Sequence, residues 1–351
     1  MDHIIELLSR ELDRPVQHVE NIVTLLDEGN TVPFIARYRK ELHGAMDDQL
    51  IRQLADRLQY LRNLQARRDE VKQSIENQGK LTEELSAAID AAATLAEVED
   101  LYLPYKQKRR TRATMAREKG LEPLAELAFA IGPAVDLEGA AADYIDPGKG
   151  VETVEDALQG ASDIVAEWIS DDADVRKLLR ELYWRRASIV SRAAAKEPED
   201  SVYRLYYEFS SPVSKTQGHQ ILAMNRGERE EILKVDVEMD RETALVALRR
   251  RAVPGRAAME FVRAAAEDAY DRLIAPSLER ELRGELTDRA SEGAIGQFAL
   301  NLKPLLMQPP VKGFVTMGLD PGYRMGCKVA VVDPTGKVLD TTVVYPTHGE
   351  R

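Results

Sequence analysis

Apolar residues recur at spacings of three and four along most of this chain, the pattern of helices with one buried face. Ile4, Ile5, Leu7, Leu8 and Leu12 define a first helix, and Val16, Val19, Ile22, Val23 and Leu26 a second. Pro15 suits the first turn of that second helix and Gly29 its C-terminal cap. Residues 31–43 carry Pro33 at the start and are followed by Gly44, a third helical segment. Asp47 caps a long helix over about 48–78, with Leu50, Ile51, Leu54, Leu58, Leu61, Leu64, Val71 and Ile75 in one stripe; at 1.5 Å per residue it is roughly 45 Å long. Gly79 ends it and Thr82 caps the next. Residues 121–196 read as helical, punctuated by Pro123, Gly132-Pro133 and Asp146-Pro147-Gly148, with Thr153 and Asp172 as caps. Tyr203, Tyr206, Tyr207 and Phe209 show no clean period and read as irregular or mixed. A helix from His219 stops at Gly227, and Ile232 to Val237 reads as one isolated strand. Helices follow over 241–251 and 256–275. Pro276 restarts the chain into a long helix, and Pro304, Pro309 and Pro310 end helical structure.

The pattern changes at Gly313. Phe314 to Leu319, Cys327 to Val332 and Val338 to Tyr345 read as strands, joined by Asp320-Pro321-Gly322 and by the hairpin turn Asp333-Pro334-Thr335-Gly336. The predicted product is a β-meander with Asp320 at the end of its first strand. Three strands leave open edges and a bare face, and the chain stops six residues after Tyr345, so the last domain is expected to be truncated. With Lys196 to Asp200 as a boundary, the expected organisation is a helical domain over 1–197, a central helical region with one short strand over 198–311, and the start of an α/β domain over 312–351. The fold class is mainly α.

Composition narrows the function classes. A chain of 351 residues is long enough for two or more domains, and its 44% hydrophobic content supplies a core. One cysteine excludes an intrachain disulfide and fits a reducing cytosol. No leader peptide and no run of about 18 uncharged apolar residues is present, so the expected location is cytoplasmic, away from membranes. The net charge of −12 is not the usual footprint of a nucleic-acid binder; such a role must rest on local charge.

One stretch supplies it. Lys106, Lys108, Arg109, Arg110, Arg112, Arg117 and Lys119 crowd together with a single acid, Glu118. They can neutralise phosphates, with Tyr102 and Tyr105 upstream to stack on bases. They can equally pair inside the fold with residues 120–175, which hold fourteen acids and one base. A second stretch, residues 34–41, puts Phe34, Ile35 and Tyr38 on an apolar face and Arg37, Arg39 and Lys40 on a basic one; it reads as a core helix with exposed cations or as a nucleic-acid contact. Asp320 is placed either to bind a divalent metal or to start its Pro-Gly turn. Cys327 reads as a packed strand residue. The five histidines lack metal-ligand spacing, and no phosphate loop, nucleophile elbow or zincin motif occurs.

The run Gly318-Leu319-Asp320-Pro321-Gly322, then Arg324, Gly326 to Asp333 and Thr335-Gly336-Lys337, resembles the opening of the YqgF-like, RNase H-type domain of the Tex family of bacterial transcription accessory proteins. Met325 stands where the family carries Thr. Thr31 to Glu41, Glu99 to Lys106 and His219 to Glu228 agree, so the resemblance covers essentially the whole chain. It implies a helix-turn-helix-type region in the helical body, followed by the first strands of an RNase H-like domain. It implies a non-catalytic factor that binds RNA or DNA without strong sequence preference and works with RNA polymerase or transcription-linked proteins. The helix-hairpin-helix and OB-fold RNA-binding domains of the family lie outside this chain. The nucleic-acid-binding candidates are the seven cations of 106–119 together with Arg37, Arg39 and Lys40. No cofactor is expected. Two alternatives stay open: an RNase H-like nuclease or Holliday-junction-resolvase-type enzyme, which would use Asp320 and Mg²⁺, and a protein-interaction scaffold.

Overall fold

The computed structural model describes residues 2–107, 110–194, 201–309, 313–322 and 326–346. The boundary candidate 196–200 lies outside the described residues. The chain forms two compact units. One comprises Met1–Ser191, Glu208–Lys215 and Val235–Leu282; the other comprises Arg192–Tyr207, Thr216–Lys234 and Arg283–Arg351. The units interleave along the chain, whereas the sequence suggested three consecutive segments, 1–197, 198–311 and 312–351.

In the first unit, α1 (Asp2–Leu12), α2 (Val16–Asp27) and α3 (Val32–Tyr38) gather on the first half of α5 (Asp48–Glu76), and α4 (Lys40–His43) packs on α2. Leu8, Val19, Ile22, Ile35, Ile51 and Leu54 are the centre of this core. Asp47 caps α5 as expected, its carboxylate accepting from the Leu50 amide at 2.7 Å. The predicted stripe is buried from Ile51 to Ile75, and Leu50 is half-buried. The second half of α5 packs against α6 (Glu83–Ala91) and α7 (Leu95–Tyr102) through Leu64, Val71, Ile75, Ile89 and Val98. The segment 31–43, read as one helix, is two: Arg39 leaves helical geometry at φ −129°.

Beyond it come α8 (Arg112–Glu118), α9 (Glu122–Phe129), α10 (Leu137–Ala141), α11 (Val154–Asp171) and α12 (Ala173–Arg186). Thr153 and Asp172 cap α11 and α12 through their side-chain oxygens. Ala157, Ala161, Ile164, Val165 and Ile169 make α11 the buried axis, packed on α8 and α9.

The expectation of helix up to residue 196 is corrected at Ser188. Residues Ser188–Ala193 are a strand, β1, with Ile189, Val190 and Ser191 buried. It is the middle strand of a sheet ordered β2-β1-β3, where β2 is Glu208–Pro212 and β3 is Leu233–Glu238. The aromatic piece read as irregular is a 3₁₀ turn, Arg204–Tyr206, leading into β2. The strand read as isolated is therefore paired. Between β2 and β3 lies α13 (Gly218–Arg229), which runs through Gly227 instead of stopping there. A β-carbon on Gly227 would come within 2.6 Å of the Leu233 side chain, so this glycine serves close packing, not termination.

After β3, α14 (Arg241–Ala252) and α15 (Met259–Asp268) return to the first unit, and α15 packs on α11. A π-helical turn, Ala269–Ile274, then joins α15 to α16 (Ala275–Leu306) without a break. Pro276 therefore does not restart the chain; the wide turn before it absorbs the missing amide donor. That turn holds the Tyr270 hydroxyl 2.9 Å from that of Tyr183, and burial raises the pKa of both phenols. Pro304 sits inside α16 instead of ending it. The unit division falls within α16, after Leu282.

In the second unit, α13 is tied to α16 by Arg283, which donates to Glu228 and Asn225, and by Asn225 donating to Thr287 at 2.8 Å. The meander forms as read: β4 (Thr316–Asp320), β5 (Cys327–Val332) and β6 (Val338–Val344) are antiparallel in that order. Asp333 accepts from the Thr335 and Lys337 amides at 2.8 and 3.0 Å, building the hairpin turn. Bonds from Thr335 and the turn amides hold its carboxyl below the usual carboxylate range. Gly326 has φ +80°, and a β-carbon there would meet Val343 at 2.7 Å, so the motif glycine is sterically required. Val329 is buried, while β6 is exposed throughout. No helix among the described residues is long and apolar enough to cross a membrane.

Candidate nucleic-acid interface

The basic run divides in two. Thr111 caps α8, its hydroxyl accepting from the Thr114 amide, and so fixes where the cations of this short helix point. Arg117 turns inward: its guanidinium donates to Glu167 at 2.7 Å and to Glu122 at 3.1 Å. Burial works to lower the Arg117 pKa, but the two carboxylates outweigh it and hold it above its ordinary value. Glu167, itself buried, also accepts from the Thr111 hydroxyl at 3.1 Å. Lys119 donates to the Gly150 carbonyl at 2.7 Å. Arg117 belongs to the internal pairing that the sequence left open, whereas the Lys119 bond is to a backbone carbonyl at the surface.

Lys106, Arg110 and Arg112 are at the surface. Lys106 lies 4.0 Å from Glu99, and Arg110 lies 3.3 Å from Glu118 with both side chains mostly in water, pairs that contribute little. Arg112 has no salt-bridge partner among the described residues. Lys108 and Arg109 lie outside the described residues. Tyr102 and Tyr105, expected to stack on bases, are instead half-buried against the α5–α7 core. The Tyr102 hydroxyl is 3.0 Å from that of Ser74, and the Arg67 guanidinium sits over its ring. A cavity of about 590 Å³ beside the run is walled by Glu122, Glu167 and Asp171 as well as Arg117 and Lys106. Its carboxylates make it a poor phosphate pocket.

The second group is built on the α3–α4 break. Ile35 is fully buried, as the sequence indicated, but Tyr38 is 57% exposed and does not join it in the core. Tyr38 is the last residue of α3, and its ring lies against that of half-buried Phe34, 5.3 Å between centroids, outside the core that holds Ile35. Arg37 and Lys40 are exposed, and the Arg39 guanidinium lies 5.1 Å from the Phe34 ring centroid. No carboxylate pairs with these three cations among the described residues.

Asp320 is the last residue of β4 and stands opposite Lys328 in the register. Among the described residues, no group of three His, Cys, Asp or Glu side chains could hold a metal ion. Cys327 is half-buried at the start of β5. Arg324 and Met325 lie outside the described residues. A third arginine-rich stretch that the sequence reading did not single out, on α14, is largely neutralised: Arg249 pairs with Glu242 and Glu267, and Arg251 with Asp174.

A mainly helical body followed by an antiparallel meander, with glycines forced at its first turn, matches three consecutive family models. They are the Tex-like protein N-terminal domain over residues 2–76, the Tex central region over 132–298 and the Tex protein YqgF-like domain over 314–351. The chain belongs to the Tex family. It is 46% identical to YdcI of Bacillus subtilis (strain 168) across 97% of its own length and 48% of that protein. It is 41% identical to the transcriptional accessory protein Tex of Neisseria gonorrhoeae, across 98% of its length and 46% of that protein. To the human S1 RNA-binding domain-containing protein 1 it is 34% identical, across 99% of its length and 36% of that protein. The chain thus spans about half the length of the bacterial relatives.

Proposed function

We propose that this chain serves a transcription accessory factor that binds RNA or DNA without strong sequence preference and without catalysis, in the cytoplasm, alongside RNA polymerase or transcription-linked proteins. The observation that carries the nucleic-acid reading is the set of outward cations, Lys106, Arg110 and Arg112, on a chain whose net charge is −12. Support comes from relatives named as a transcriptional accessory protein and an S1 RNA-binding domain protein. Surface cations that lack strong partners are available to replace counterions on a phosphate backbone. Arg117, which pairs with buried Glu167, and Lys119, which is tied to the Gly150 carbonyl, are left out of this interface; Lys108 and Arg109 remain part of it by sequence alone.

A gel-shift titration at several salt concentrations tests this. Charge reversal of Lys106, Arg110 and Arg112 to Glu should remove most binding at low salt. It should also flatten the dependence of log K on log salt by about two units for single strands, since each lost phosphate contact accounts for roughly 0.7. Unchanged affinity and slope in the triple variant would refute the assignment.

A further inference from the structure

We propose that Phe34, Tyr38 and Arg39 form a stacking platform for an unpaired base of single-stranded nucleic acid, with Arg37 and Lys40 taking the flanking phosphates. The proposal rests on the nucleic-acid reading above and adds a second, base-contacting site on the N-terminal helices.

The platform is held from beneath. His43 is fully buried, and its Nε2 lies 3.0 Å from the Ile35 carbonyl oxygen. Asn21 on α2 donates to the Leu42 carbonyl at 2.8 Å. Gly44 closes α4 in the left-handed conformation at φ +62°. These contacts hold the α3–α4 junction at Arg39, directly after the exposed Tyr38. The Phe34 and Tyr38 ring centroids are 5.3 Å apart with planes inclined at 46°, so neither ring covers the other face to face. Arg39 donates to the Tyr38 carbonyl at 3.1 Å while its guanidinium overlies Phe34. The result is a continuous π and guanidinium surface that leaves Tyr38 in solvent.

Charge decides the class of partner. Arg57, Arg62 and Arg67 on nearby α5 each hold a carboxylate: Glu11, Asp27, and Glu70 with Glu99. Arg37, Arg39 and Lys40 have no such partner among the described residues, in a chain with more acids than bases. Unpaired cations flanking an exposed aromatic suit a polyanion whose bases have free faces. In a duplex those faces are stacked on one another, so the platform selects single strands, loops or frayed ends.

Fluorescence anisotropy with a labelled oligothymidine and its abasic counterpart provides the test. The unmodified chain should bind the base-bearing strand about tenfold tighter than the abasic strand, the scale of one base–aromatic stack. Tyr38→Ala should erase that preference by weakening only the base-bearing strand, and Tyr38→Phe should keep it. Arg37→Glu with Lys40→Glu should weaken both strands alike. If Tyr38→Ala keeps the preference, or the unmodified chain shows none, the platform is refuted. If that happens while the Lys106, Arg110 and Arg112 variant still loses binding, the broader nucleic-acid reading survives; no binding of either strand at low salt refutes both.

Discussion

Removing the Asp100 carboxylate should destabilise the first unit more than any surface substitution in it. Asp100, on α7, is 4% exposed. It accepts from Arg176 Nε at 2.8 Å and from Arg180 Nη2 at 2.9 Å, both on α12. Arg176 also donates to Ser277 on α16 at 3.1 Å, and Glu281 on α16 pairs with Arg180 and lies 3.6 Å from Arg176. Burial pushes the Asp100 carboxyl above its ordinary value, and the two guanidiniums pull against it without fully reversing the shift. The network is thus one in which attraction falls short of offsetting desolvation at Asp100, the regime where deleting one partner is costly because the other stays buried and charged. Arg176 and Arg180 side chains are only 8% and 15% exposed. Because Glu281 still serves Arg180, the lower end of the usual range applies: about 3 kcal/mol for Asp100→Leu. For a unit of this size that corresponds to a fall in Tm of roughly 6–12 °C. Thermal unfolding followed by far-ultraviolet circular dichroism reads it directly. Adding Arg176→Met should recover part of the loss, since it removes the buried cation left with only the longer 3.6 Å contact to Glu281 and leaves the Arg180–Glu281 pair intact. A shift below about 3 °C for Asp100→Leu, or a double variant less stable than the single one, would refute the reasoning.

Hydrogen exchange should divide the chain. Met317, Leu319, Val338 and Leu339 are each more than half exposed, so amides over 316–344 should exchange faster than those of α5 and α11; equal protection would refute this. Incubation with branched and linear DNA and RNA in Mg²⁺ or Mn²⁺ should give no cleavage, with Asp320→Asn indistinguishable from the unmodified chain; cleavage abolished by Asp320→Asn would establish the nuclease alternative.

What the sequence determined by itself is local. The Asp47, Thr82, Thr153 and Asp172 caps, the α5 stripe from Ile51 to Ile75 and the Asp333 turn all depend on residues within a few positions of each other, so their physics is complete in the linear pattern. The family motifs were legible for a similar reason: Gly326 is demanded by its own φ, and Val343 and Tyr345 also leave no room for a β-carbon there. Tertiary structure decided what depends on distant partners. Ser188–Ala193 is a strand because β2 and β3 flank it, although its six residues continue a helical stretch. Pro276 is accommodated because a π turn, held by Tyr270 against Tyr183 and Arg272 against Asp163, precedes it. Arg117 is structural because Glu167, fifty residues away, waits in α11. The same cause separates the aromatic residues. Tyr102 looked available and is packed, whereas Tyr38 looked like core and is exposed. Periodicity reports which face a regular helix would bury, but only the packed chain shows where a helix kinks and which cations already have an anion beside them.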